Sequence, residues 1–121
     1  MKQGILLFAH GSRDSLWRRP VEAIAERIRQ RAPDCAVACA YLELCEPDLP
    51  TAAIDLIAAG AGSIKAFPLF LGLGKHARED FPVLIADLRR AHPDVPITLL
   101  PAAGEHSALL DLLAGIALAT T

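Results

Sequence analysis

The stretch GILLFAHGS, residues 4–12, places an unbroken apolar run directly before a histidine and a glycine. A short apolar run that ends at a glycine is typical of a strand buried on both faces, as in a parallel sheet. The next segment, SLWRRPVEAIAERIRQRA (15–32), has its apolar residues at helical spacing, and Pro20 is tolerable in its first turn. Together they predict a strand followed by a helix, with His10 at the end of the strand.

The same alternation of strand and helix continues along the chain. The further predicted strands are CAVACAYLEL (35–44), SIKAFPLFLG (63–72) and PITLLPA (96–102), and the further predicted helices are PDLPTAAIDLIAAGAG (47–62), REDFPVLIADLRRAH (78–92) and EHSALLDLLAGIALA (105–119). Four βα units predict a three-layer α/β fold, with helices on both faces of a four-stranded parallel sheet. We expect the flavodoxin-like strand order 2-1-3-4 and a single domain over residues 1–121.

Composition restricts the classes of partner. Of the 121 residues, 53% are hydrophobic and 21% charged, which is typical of a globular protein. The net charge of -2 gives no basic field to attract nucleic acid, and no apolar run reaches the length of about 18 residues that spans a bilayer. The three cysteines form no CxxC pair, which favours reduced thiols. We therefore expect a cytoplasmic protein that binds neither nucleic acid nor membrane.

Polar side chains follow three of the predicted strands. His10 follows the first strand, Glu43 ends the second, and His76 comes after the third. In the order 2-1-3-4 these strands are neighbours about 4.8 Å apart, so the three side chains would form a row at one edge of the sheet. Two imidazoles and a carboxylate suit a divalent transition-metal ion, and only three ligands leave coordination positions free. This pattern predicts a site that transfers a metal ion rather than one that stores it.

Other interpretations of these segments stay open or are weaker. A single histidine at a strand end is often structural, and Glu43 could serve as a salt-bridge partner. GLGKH (72–76) lacks the spacing of a phosphate-binding loop, and HGSRD (10–14) does not make a nucleophile–base pair by itself. Four apolar residues near the edge could form walls for a flat ligand or simply pack in the core: Leu44, Leu71, Leu73 and Phe81.

Three motifs, in this order, resemble the small class II chelatases of the CbiX and SirB type. They are LLFAHGSRD (6–14), AYLELCEPDLPTAA (40–53) and FPLFLGLGKHAREDFP (67–82), and PAAGEHSALLDLL (101–113) resembles the family's stretch after its fourth strand. In that family the metal-handling histidines correspond to His10 and His76, and the acidic partner corresponds to Glu43. His106 matches a histidine of the fourth-strand loop. Leu73 stands where the family usually has a proline.

The resemblance implies an enzyme that inserts cobalt or iron into sirohydrochlorin, in cobalamin or siroheme biosynthesis. The metal is a substrate, nickel is compatible with the same donors, and no organic cofactor is expected. His10, Glu43 and His76 would be catalytic and metal-binding, and four basic residues would bind the substrate carboxylates: Arg13, Lys75, Arg78 and His106. The resemblance also implies a fold of two similar halves that face each other across a cleft. This chain has one half, which implies a homodimer. The alternatives are a non-catalytic metal or tetrapyrrole carrier and a half-domain without metal affinity.

Overall fold

A computed structural model describes residues 2–119. The elements, in chain order, are β1 (Lys2–Ala9), a first 3-10 turn (Ser15–Arg18), α1 (Arg19–Arg31), β2 (Ala36–Tyr41), α2 (Leu49–Ala58), β3 (Ala61–Pro68), α3 (Lys75–Ala91), β4 (Ile97–Leu99), a second 3-10 turn (Ala103–Glu105) and α4 (Ser107–Leu118). Within residues 2–119, no helix combines the length and the apolar character that crossing a bilayer requires.

The four strands form one parallel sheet in the order β2-β1-β3-β4, which confirms the predicted α/β fold and strand order. β1 is central. It pairs with β2 as far as Ala9↔Tyr41 and with β3 as far as Phe8↔Pro68. The carboxyl ends of these three strands therefore lie side by side, and His10 leaves the sheet between the other two.

Helices cover the two faces of the sheet unequally. On one face, α2 and α3 enclose the main core, where Phe8 packs edge-on against Phe81 with ring centroids 5.1 Å apart. On the other face, α1 lies over β1 and β2 and encloses a smaller cluster of Ala9, Val21 and Tyr41. Alternation along a strand explains the division, because successive side chains of β1 point to opposite faces.

Among the boundaries that differ from the sequence prediction, two affect the site. β2 ends at Tyr41 rather than at residue 44. The backbone N–H of Leu42 is shared between the carbonyls of Ala9 and His10, and the N–H of Glu43 donates to the carbonyl of His10 as well, so the regular ladder stops here. α3 begins at Lys75, three residues before the predicted start, after an extended N-cap at Gly74. His76 therefore lies in the first turn of a helix and not in the preceding loop.

α4 is a predicted helix that forms but is not buried. The predicted helix over 105–119 forms as a 3-10 turn and then α4, but no side chain within residues 107–118 is buried. Periodicity cannot reveal this exposure, because an apolar helix sequence indicates that the helix should be buried without indicating the surface on which it packs.

Candidate active site

His10 and Glu43 are in direct contact at the end of the central strand. His10 Nε2 lies 2.7 Å from Glu43 Oε1, and the two side chains are 60% and 54% exposed. This distance is that of a strong hydrogen bond or ion pair between imidazole and carboxylate. The pair is open to solvent, so an incoming ligand can reach both donor atoms.

A close approach of backbones at Gly11 brings Glu43 to His10. Gly11 has a φ of 110°, and a Cβ at this position would lie 1.8 Å from the carbonyl oxygen of Glu43. Only glycine can adopt that φ without strain and leave room for the neighbouring carbonyl. The backbone N–H of Glu43 also donates to the carbonyl of His10, at 3.1 Å. Gly11 therefore sets the distance between the loop after β1 and the loop after β2.

The loop after β2 turns back sharply to present the carboxylate. Leu44 has a φ of 68°, which is uncommon for a residue with a side chain. The N–H of Cys45 donates to the carbonyl of Glu43 at 2.9 Å, and the N–H of Tyr41 donates to the carbonyl of Pro47 at 2.9 Å. These bonds fix both ends of the loop, so Glu43 stands on a turn of defined shape.

His10 and His76 line the same cleft, which has a volume of about 510 Å³. Most of the remaining lining is apolar, and it also contains one carboxylate: Leu42, Phe70, Ala77, Asp80, Phe81, Val83 and Leu84. An apolar cleft with a few polar groups is typical of a small-molecule site.

Asp80 was missed by the sequence analysis, as were most of the apolar wall residues. The signal was present in the sequence, because Asp80, Val83 and Leu84 follow His76 at spacings of four, seven and eight residues and so share a helical face. Of the four apolar residues considered from the sequence, Phe81 lines the cleft. Leu44, Leu71 and Leu73 lie outside its lining.

His10, Glu43 and His76 do not form a complete metal site. Within residues 2–119, no three His, Cys, Asp or Glu side chains come close enough together to hold an ion. Two donor atoms that each bind an ion at about 2.1 Å, with an angle between them of about 90–110°, lie about 3.0–3.4 Å apart. The pair at 2.7 Å needs to open by only a few tenths of an ångström, and His76, exposed in the first turn of α3, would then have to swing towards the ion.

The four residues predicted to bind carboxylates lie in different surroundings. Arg13 and Lys75 are exposed, in the loop after β1 and at the first position of α3. The guanidinium of Arg78 donates to the carbonyl of Leu73 at 3.1 Å. His106 Nε2 lies 2.8 Å from the carbonyl oxygen of Pro101. Arg78 and His106 are therefore engaged outside the lining of the cleft, and their role in binding substrate stays a prediction.

Burial favours the neutral forms of one thiol and one phenol of β2, those of Cys39 and Tyr41. Burial raises the pKa of Tyr41 to about 12, and it also raises the pKa of Cys39. Because a thiol binds metal as the thiolate, a raised pKa disfavours Cys39 as a ligand. The donors that remain at the cleft are imidazole and carboxylate.

A family model described as CbiX matches residues 4–116. The chain belongs to the CbiX family. Two relatives of similar length are the sirohydrochlorin cobaltochelatases of Methanococcoides burtonii and Methanosarcina acetivorans, which are 30% and 32% identical to this chain. Each alignment covers 93% of this chain and 92% of the relative. The sequence resemblance to CbiX- and SirB-type chelatases is thereby confirmed.

Solved structures agree with this assignment. A CbiX protein from Marinobacter aquaeolei superimposes with a TM-score of 0.81 at 33% identity, over 95% of this chain and 93% of that protein. The sirohydrochlorin chelatase SirB from Bacillus subtilis, solved with cobalt, superimposes with a TM-score of 0.79 at 28% identity, over 95% of this chain but 49% of SirB. This chain thus corresponds to nearly all of a short relative and to about half of a long one.

Proposed function

We propose that this protein inserts a divalent metal ion, cobalt or iron, into sirohydrochlorin. The observation that carries the proposal is the exposed His10–Glu43 pair in a chain of the CbiX family, in which His10 also lines an open apolar cleft together with His76. Support comes from relatives named sirohydrochlorin cobaltochelatase and, in Arabidopsis thaliana, sirohydrochlorin ferrochelatase. Cobalamin and siroheme biosynthesis are the proposed routes.

The residues of the cleft suit the steps of metal insertion. The reaction exchanges two pyrrole protons for one divalent ion, so it is balanced without an organic cofactor. His10 and His76 would hold the ion through imidazole nitrogens, and Glu43 would neutralise its charge and accept a proton. Nickel fits the same donors. The apolar walls would lie against the flat macrocycle while Arg13 and Lys75, exposed nearby, pair with its carboxylates.

The proposed assembly is a homodimer in the cytoplasm. The cleft is open, and the long relatives contain about as much additional chain as this unit provides, since this chain spans 49% of SirB. A second copy would supply that missing half. The three cysteines, all outside disulfides, fit a reducing compartment.

The test is turnover of sirohydrochlorin with cobalt or iron at protein concentrations far below those of the substrates. We expect the absorption spectrum of the tetrapyrrole to change faster than in the protein-free control and over many turnovers. The His10→Ala variant should lose more than about 100-fold in rate, because residues that merely orient metal ligands already contribute about 10- to 100-fold.

His92→Ala is the matched control, since His92 caps the far end of α3 outside the cleft and should leave the rate unchanged. Saturable binding without turnover would instead identify a carrier. Equal rates for wild type and His10→Ala would remove His10 from the mechanism.

A further inference from the structure

The start of α3 receives little stabilisation from its own residues. Gly74, the N-cap, has no side chain that could accept from the free N–H groups, and the first turn contains no acidic residue. Lys75 opens the helix with a positive charge, where the helix dipole favours a negative one. His76, a proposed metal ligand, lies in this turn, so its position depends on contacts that come from elsewhere.

The loop before this helix start, residues 69–74, is fixed by another element in its first half. The N–H of Gly104, in the second 3-10 turn, donates to the carbonyl of Phe70 at 2.9 Å. The second half contains Gly72 and Gly74, and a Cβ at either position would meet nothing within 4 Å. Glycine loses more backbone entropy on ordering than any other residue, so this half needs a further contact to hold one shape.

Arg78 supplies that contact. Its guanidinium donates to the carbonyl of Leu73 at 3.1 Å, which ties the residue before the N-cap to the fourth residue of the helix. In many helices a hydrophobic contact joins these two positions and fixes the direction in which the chain enters the helix. Here a hydrogen bond from a charged donor takes its place. Leu73 is itself half-buried and packs against the main core, so the accepting carbonyl belongs to an anchored residue.

The surroundings of Arg78 favour this local role over contact with a ligand in the cleft. Arg78 lines a separate groove of about 420 Å³ together with Glu105, whereas His10 and His76 line the cleft. The carboxylate of Glu105 accepts from the N–H of Ala102 at 3.0 Å. In the part of the chain that the structure describes, no ion pair includes Arg78. The carbonyl of Leu73 is therefore its hydrogen-bond partner.

We infer that Arg78 is a positioning residue, whose hydrogen bond to the Leu73 carbonyl holds the start of α3 and keeps His76 on the cleft. The inference rests on the proposed function, because it concerns His76 as a metal ligand. When the first turn frays, His76 leaves the helical face that it shares with Asp80. The fraction of molecules ready to bind an ion then falls, and the apparent affinity for the ion falls with it.

The first experiment measures amide hydrogen exchange and needs no turnover. Arg78→Met keeps an apolar stem but removes the donors, so the amides of Glu79 and Asp80, which donate to carbonyls of the first turn, should exchange about fivefold faster. Arg78→Lys can still donate one N–H and should restore most of the protection. Arg90→Met is the matched control, since Arg90 lies in the last turn of the same helix. Equal exchange in Arg78→Met and the wild type would overturn the inference.

The second experiment separates positioning from substrate binding by steady-state kinetics. Arg78→Met should raise the KM for cobalt about threefold and leave the KM for sirohydrochlorin unchanged, and Arg78→Lys should recover the value for cobalt. A residue that pairs with a substrate carboxylate would give the opposite result, a raised KM for sirohydrochlorin and an unchanged KM for cobalt. That result, or faster exchange without any change in the KM for cobalt, would overturn the inference.

The two experiments also distinguish this inference from the proposed function. A wild type that inserts no metal, while Arg78→Met exchanges faster, would remove the proposed function and leave Arg78 as the residue that holds the start of α3. An active wild type in which Arg78→Met changes neither the exchange nor the KM for cobalt would keep the function and remove the inference.

Discussion

Gly11 controls the geometry of the candidate site without contributing a side chain to it. Its φ of 110° and the 1.8 Å separation between a hypothetical Cβ and the Glu43 carbonyl leave no room for alanine. We expect Gly11→Ala to reduce the free energy of unfolding by about 1–3 kcal/mol and to push the Glu43 loop away from His10. Urea denaturation measures the first effect, and the chelatase rate measures the second.

Gly72→Ala is the control for Gly11→Ala, because a Cβ at Gly72 would meet nothing and its φ is ordinary. A Gly11→Ala protein as stable and as active as this control would show that the two loops can separate freely.

His10 and Glu43 could be selected from the sequence because each follows an apolar run. Their contact could not, since it depends on the positive φ of Gly11 and the turn at Leu44, which periodicity does not register.

At the scale of the element, α3 presents a functional face to the cleft. His76 and Asp80 lie one turn apart on the cleft wall, so a carboxylate stands beside a proposed metal ligand, where it could accept a pyrrole proton. We expect Asp80→Asn to lower kcat about tenfold or more while changing the KM for metal little, as for the loss of a proton acceptor. Glu79→Gln, which alters an exposed neighbour outside the cleft lining, should have no effect. Equal kcat values for the two variants would exclude Asp80 from proton transfer.

The start of α3 shows why only part of this face could be predicted from the sequence. Apolar periodicity first becomes regular at Phe81, so the pattern predicts a helix from Arg78. The true start depends on the extended backbone of Gly74, which lets the chain turn into a helix at Lys75. A shift of three residues moves His76 from a loop onto the helix, and only then do Asp80, Val83 and Leu84 become its neighbours on one face.

At the scale of the whole molecule, the single tyrosine makes the stability of the folded state depend on pH at high pH. Burial raises the pKa of Tyr41 to about 12, whereas an unfolded chain ionises its tyrosine near the usual value of about 10. Between these values the folded state binds more protons than the unfolded state, so stability must fall as pH rises. Urea denaturation across this range should show the decline, and Tyr41→Phe should flatten it.

Phenolate absorbance gives an independent check, since the chain contains one tyrosine. A folded-state titration with an unshifted midpoint would contradict the prediction.

The strand order and the main core followed from four apolar runs and their intervening helices. The exposure of α4 did not, because periodicity indicates an apolar helix without indicating which surface covers it.

The central position of β1 has a consequence for how the three proposed metal ligands would move. β1 is hydrogen-bonded on both sides, and Leu6, Leu7 and Phe8 have no exposed surface, so its amides should be among the last to exchange with deuterium. His10 is therefore anchored to the slowest-opening part of the protein, while Glu43 stands on a loop and His76 at a helix end. If these three residues bind the ion, the Glu43 loop would have to shift only slightly and His76 would have to move towards a His10 that the sheet holds in place.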